Sequence, residues 1–270
     1  MSLYRASIAL NNTGVSLLEQ RAYRQAIDTF KDAIQVMRLV FTSDNNSNYN
    51  SDDGSASVQD KLDRASKRLA QPRPLTKCPS LDLACLDDAN VHSMWKEAAA
   101  AGMSSCLPSS QTYSSSTAFP IRLAGLGGGG DLDVESAMML YNFGLSYLCL
   151  ARFFSRRKTN NSSSNKGSKD VLQQALKLFY MAYSTLSNHT VQGADGGDVP
   201  LATSLLDGRL SLSIVILHAI VQVELELGNH KLASRRYQKL MQVTAFLQQH
   251  DAQSPVDQMA AGGLRAAAAA

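Results

Sequence analysis

One spacing recurs three times in this chain and constrains its fold more than any other feature. A small residue is followed four positions on by an aromatic one, and three positions further by a small or aliphatic one. Ala26, Phe30 and Ala33 form the first set, Ala175, Phe179 and Ala182 the second, and Ala233, Tyr237 and Leu240 the third. Steps of four and three return to the same face of an α-helix, whereas a strand would send them to alternate faces. The stretch before each set repeats too. Leu10-x-Asn12-x-Gly14 is echoed by Leu140-x-Asn142-x-Gly144, and a third copy weakens to Leu217 and Val221. Two antiparallel helices joined by a short turn approach closely only where one supplies a small residue, and the aromatic is expected to fill the wider gap a turn away. Each copy therefore predicts a packed helix pair.

The rest of the chain fits helices separated by polar insertions. Residues 4–40 read as two amphipathic helices with a turn around Gln20 to Ala22. Residues 42–57 carry almost nothing apolar and are expected to form a tether. A short helix with a basic outer face is expected over Val58 to Leu69, stopped by Pro72 and Pro74. From Gln71 to Asp133 the chain reads as mostly irregular, with one helix near Val91 to Ala101 and an extended piece at Phe119 to Leu123. Further helices are expected at 134–155, about 170–187, 206–227 and 230–249, with a polar loop over 156–170 and an Ala/Gly-rich tail over 256–270.

At the repeated positions the sequence resembles the tetratricopeptide repeat (TPR). That family has a small residue midway along its first helix, here Gly14 and Gly144, and an alanine, aromatic, alanine set in its second. The separation from Gly14 to Ala26 is the family's, Tyr23 and Phe30 stand where it places aromatics, and Leu227-Gly228-Asn229 supplies a tight turn before Ala233. Three features depart from the pattern. The long middle region separates copies one and two, the Arg156 to Asp170 loop splits copy two, and Arg38 stands where the closing proline is usual. The resemblance implies an all-α chain: a short α-solenoid of about three TPR-like helix pairs with long irregular insertions. One domain is expected over 1–255, with repeats at about 4–40, 134–187 and 206–249 and flexible insertions at 42–57, 102–133 and 156–170.

Stacked helix pairs leave a concave face lined by their first helices, and that face is the expected peptide site. Its residues are Ile8, Asn11 and Val15 from copy one, Met138, Tyr141, Asn142 and Leu145 from copy two, and Val215, His218 and Gln222 from copy three. Gly14, Ala26, Phe30, Ala33, Gly144, Ala175, Phe179, Ala182, Ala233 and Tyr237 read as packing residues. Residues such as Tyr141 and His218 are more often satisfied half-buried side chains than ligand contacts. Family members that bind acidic chaperone tails use lysine, arginine and asparagine on this face. Here only Asn142 matches, with Asn11, Val15, Val215 and Ala219 at the other positions. A carboxylate in such a groove would lose its hydration without gaining a cation, so a neutral or apolar extended peptide of another protein is the expected ligand. One candidate is the chain's own Ala118 to Leu123, AFPIRL, which would make the protein structural or self-associating instead.

Other chemistry finds little support. Gly125 to Gly130 matches GxGxxG, but it lies in a low-complexity run without a βαβ unit or an acidic residue near position 150, so no dinucleotide is expected. His92, His189, His218, His230 and His250 are scattered, and no metal site or cofactor is assigned. No nucleophile elbow or acid–base pair sits on a common element, so no enzymatic activity is expected; Cys85, Cys106 and His92 are the only reactive candidates. The basic cluster of Arg152, Arg156, Arg157, Lys158, Lys166 and Lys169 would serve nucleic acid or nuclear import only if its loop were more than a solvated one; Phe153 and Phe154 inside it are expected to close the helix against the core. A net charge of +3 creates no chain-wide field for nucleic acid or membrane. The four cysteines lack framework spacing, the N-terminus lacks a signal-peptide run, and Ile214 to Val221 is too short for a bilayer span of roughly 20 residues. A soluble cytoplasmic chain, with nuclear entry left to the basic cluster, is the expectation.

Overall fold

The computed structural model describes residues 2–43, 52–71, 81–82, 120–123, 131–157, 165–187 and 202–252, and within them the chain is almost entirely helical. Its helices are α1 (Leu3–Glu19), α2 (Tyr23–Ser43), α3 (Asp52–Leu69), α4 (Leu132–Arg157), α5 (Asn165–Ser187), α6 (Ala202–Leu227) and α7 (His230–Ala252). Two short extended pieces, β1 (Leu81–Asp82) and β2 (Ile121–Arg122), pair in parallel, Leu81 opposite Ile121 and Asp82 opposite Arg122. Helix α3 starts at Asp52, inside the stretch expected as a tether, and α5 starts at Asn165, inside the expected polar loop. The helix expected near Val91 to Ala101, the GxGxxG run, Cys85, Cys106 and the tail lie outside the described residues.

Each helix packs chiefly on its neighbours in the order α1, α2, α4, α5, α6, α7, with α3 against α1 and α2. The first helices also meet one another, α1 with α4 and α4 with α6. The pairs are built as the repeated spacing demands. Ala26, Phe30 and Ala33 are wholly buried on α2, as are Ala175, Phe179 and Ala182 on α5. The aromatic does not fill a gap a turn away from the glycine, as expected from the sequence. It lies directly over it: a Cβ on Gly14 would come 2.7 Å from the Phe30 ring, and one on Gly144 would come 2.8 Å from Phe179. In the third pair Val221 stands in the glycine's register and is buried, and Tyr237 is only half-buried.

The turns repeat as well. Ala22 N–H donates to Leu17 O (2.8 Å) and Asn229 N–H to Glu224 O (2.8 Å), so the same six-residue closure ends α1 and α6. The left-handed residue is Gly228 (φ 83°) in one and Arg21 (φ 59°) in the other. A Cβ is strained in that conformation, by about 1 kcal/mol. Arg21→Gly is therefore expected to stabilise the chain by about 0.5–1 kcal/mol and Gly228→Ala to destabilise it by a similar amount, read from urea midpoints.

Neighbouring pairs are tied by rings and charges. Phe153 on α4 meets Tyr23 on α2 edge-on with centroids 5.8 Å apart, and Arg24 lies over Phe154 at 5.9 Å. The basic face of α3 is turned onto α2, where Lys61 and Arg68 each lie 3.5 Å from Asp32. Helix α4 is the one helix among the described residues long and apolar enough to cross a membrane, over Leu132–Ser155 at mean hydropathy 1.2; 67% of that stretch is buried within the protein.

Candidate peptide groove

The first helices α1 and α4 present asparagines at the same position of the repeat, two residues before the glycine. Between them lies an extended segment of the chain itself, Pro120 to Leu123. Ile121 N–H donates to Asn142 Oδ1 (2.8 Å), and Asn142 Nδ2 donates back to Ile121 O (2.6 Å). Two residues on, Leu123 N–H donates to Asn12 Oδ1 (2.8 Å), and Asn12 Nδ2 donates to Leu123 O (2.8 Å). A carboxamide carries one acceptor and two donors side by side, so it pairs with a residue's N–H and C=O as a neighbouring strand would. Residues one apart in a strand face opposite ways, so clamping positions i and i+2 holds one edge of the segment and turns both side chains inward. Ile121 and Leu123 are each 2% exposed, and Arg122 between them is half-buried.

Asn11 joins the two clamps. It is wholly buried, its Nδ2 donates to Asn12 Oδ1 (3.2 Å) and more weakly to Ile121 O (3.4 Å), and its Oδ1 accepts from Asn142 Nδ2 (3.0 Å). Arg122 lies along α1, donating to Asn12 O (3.4 Å), Ser16 Oγ (3.0 Å) and Glu19 Oε2 (2.8 Å). Asn12, Ser16 and Glu19 are spaced by four and three and form a polar stripe on α1.

The residues expected on the concave face divide into three groups. Asn11 and Asn142 are in contact with the segment. Val15 and Leu145 occupy equivalent positions just after the glycines and are buried in the core, as are Ile8 and Met138. Tyr141 is also wholly buried, its ring 5.7 Å from that of Phe179. It lies three residues before Gly144 and so on the same helix face, turned into the α4–α5 interface rather than onto an open surface. Burial pushes its hydroxyl well above the usual tyrosine range. His218 and Gln222 sit on α6 beside Arg152 of α4, away from the clamps. Arg152 pairs with Glu226 (2.7 Å) and donates to Gln222 Oε1 (3.3 Å). Burial, then the Arg152 charge, holds His218 below its ordinary value.

Asn12 was missed as a groove residue although Leu-x-Asn-x-Gly puts it in register with Asn142. In that register Asn12 and Ile8, not Asn11 and Val15, correspond to Ala219 and Val215 of copy three. The α1–α4 contact continues below the clamp, where Tyr4 OH donates to Glu135 Oε1 (2.6 Å). Burial raises the Glu135 carboxyl, the tyrosine bond pulls it partly back, and the Asp131 charge raises it again. Asp131 itself is paired with Arg209, tying α4 to α6. Comparison with protein-family models, with curated proteins and with solved structures gives no match.

Proposed function

We propose that this chain is a non-enzymatic protein-interaction module, a short solenoid of three TPR-like helix pairs whose concave groove binds an extended peptide through its backbone. The observation that carries the reading is the double carboxamide clamp, Asn142 on Ile121 and Asn12 on Leu123, at equivalent positions of two repeats. The consecutive packing of α1, α2, α4, α5, α6 and α7 supports the solenoid. The groove is lined mainly by uncharged side chains, which suits a segment whose clamped residues are apolar. Among the described groups with displaced values, Tyr4 and Glu135 bond each other between α1 and α4 and Tyr180 bonds Glu224 between α5 and α6, which speaks for structural use rather than catalysis.

A second reading is favoured by the depth at which Ile121 and Leu123 are buried: a structural or self-associating protein for which the segment is a permanent part of the core. Titration of a fluorescent AFPIRLA peptide, the sequence of residues 118–124, separates the two. The receptor is the full chain carrying Ile121→Gly/Leu123→Gly, with circular dichroism confirming helix content. An interaction module binds the peptide, at least about tenfold more weakly when Asn142→Ala is added, since two hydrogen bonds to buried backbone are lost. No binding by a chain that remains helical supports the structural reading.

A further inference from the structure

The groove holds a charged subsite that its apolar lining conceals. Arg122 lies between the two clamped residues, and its guanidinium meets Glu19 Oε2 at 2.8 Å, Ser16 Oγ at 3.0 Å and the Asn12 carbonyl at 3.4 Å. Both side chains of the ion pair are largely shielded, 25% and 16% exposed, so the pair is screened less than a surface one. These three acceptors lie on α1, on the polar stripe that begins with the clamp asparagine. Backbone clamp and charge site therefore share a fixed register: a residue seated between the two clamps places its side chain at Glu19.

We infer that the groove selects an extended segment of another protein that reads apolar, arginine, apolar, and that Pro120 to Leu123 is an internal stand-in for that ligand. This rests on the peptide-module reading and deepens it, replacing the neutral ligand expected from the sequence with one carrying a central cation. Asn12 and Asn142 clamp any backbone, so they supply affinity without sequence preference. Ile121 and Leu123 fill apolar space. Glu19, with Ser16, distinguishes one central residue from another, because an arginine gains charge-assisted bonds there while a glutamate would face a carboxylate. The internal segment is tethered to the groove and competes at a high effective concentration, so an outside ligand binds the intact chain more weakly than one whose segment is disabled.

The test uses the full chain with Ile121→Gly/Leu123→Gly and fluorescent AFPIRLA, compared with the same peptide carrying Arg122→Gln or Arg122→Glu. The arginine peptide is expected to bind about tenfold more tightly than the glutamine one and more tightly still than the glutamate one. Glu19→Lys in the receptor is expected to reverse the order of the arginine and glutamate peptides, an effect that simple loss of folding does not produce. Equal binding of all three peptides, unchanged by Glu19→Lys, overturns the charge selectivity while leaving the peptide module standing. No binding by any of them overturns the module reading itself. If unmodified chains exchange their Pro120 to Leu123 segments into concentration-dependent dimers in sedimentation, the occupant is a second copy, and the foreign-ligand assignment fails.

Discussion

Gly144→Val is expected to destabilise the chain by about 3 kcal/mol, with Gly14→Val close behind, read as a fall in urea midpoint at unchanged slope. A Cβ at Gly144 would lie 2.8 Å from Cε1 and 2.9 Å from Cδ1 of Phe179, inside the contact distance of carbon atoms. Phe179 is wholly buried between Ala175 and Ala182, so its ring has no solvent to swing into. Helix propensity works the other way, because a mid-helix glycine is itself unfavourable by about 1 kcal/mol relative to alanine. The steric term is larger, and the helices must part or the ring must leave its place. Phe179→Leu, harmful alone, is expected to recover at least about 1 kcal/mol in the Gly144→Val background, as residues in direct contact do in a double-mutant cycle. The third pair carries valine at the glycine's place, and its aromatic, Tyr237, is half-exposed. A Gly144→Val chain as stable as the unaltered one would mean that α4 and α5 do not approach this closely.

Asn142→Ala is expected to release Pro120 to Leu123 from the groove. The substitution removes the donor and the acceptor that pair with Ile121, and it also takes a donor from Asn11, which is wholly buried. An orphaned buried polar group is unfavourable by about 1–3 kcal/mol, so two of them shift the segment's opening equilibrium by at least about 2 kcal/mol. Trypsin reads that equilibrium directly, because the segment contains the Arg122–Leu123 bond. Cleavage there, located by mass, is expected to accelerate by about thirtyfold or more, since each 1.4 kcal/mol is a factor of ten when opening is fast. Asn12→Ala is expected to have a smaller effect, because Asn12 is half-buried and water can replace part of its bonding. Asn142→Asp should resemble alanine: it keeps an acceptor for the Ile121 N–H but turns a negative oxygen toward Ile121 O and Asn11 Oδ1. An unchanged cleavage rate in Asn142→Ala would show that the carboxamide does not hold the segment.

The helix pairs were legible because each states its own register: glycine on one helix, and alanine, aromatic, alanine on the next. The detail of their contact was not, since spacing shows that Gly14 and Phe30 share an interface but not that the ring lies directly over the glycine. The candidate site is legible in part: the repeat aligns Asn12 with Asn142, but only the segment Pro120 to Leu123 lying between them shows that both carboxamides meet its backbone. The Arg122–Glu19 pair had no local signal at all, because the partners are more than a hundred residues apart and neither belongs to the repeat motif. Tyr141 went astray for a helical reason. It stands in the register of Asn11, whose short carboxamide reaches the segment, but its large ring is buried against Phe179 of the paired helix. Low apolar content at residues 52–57 likewise concealed a helix start at Asp52.

The most direct test of the double clamp is amide hydrogen exchange of Ile121 and Leu123 in the intact chain, resolved by nuclear magnetic resonance. Both N–H groups donate to asparagine side chains rather than to a helix or sheet, so their protection reports the clamp alone. Slow exchange at both, with Ile121 losing protection in Asn142→Ala and Leu123 in Asn12→Ala, is the predicted result. Exchange at the rate of an open chain in the unaltered protein would contradict it, and with it the groove as a site that holds an extended backbone.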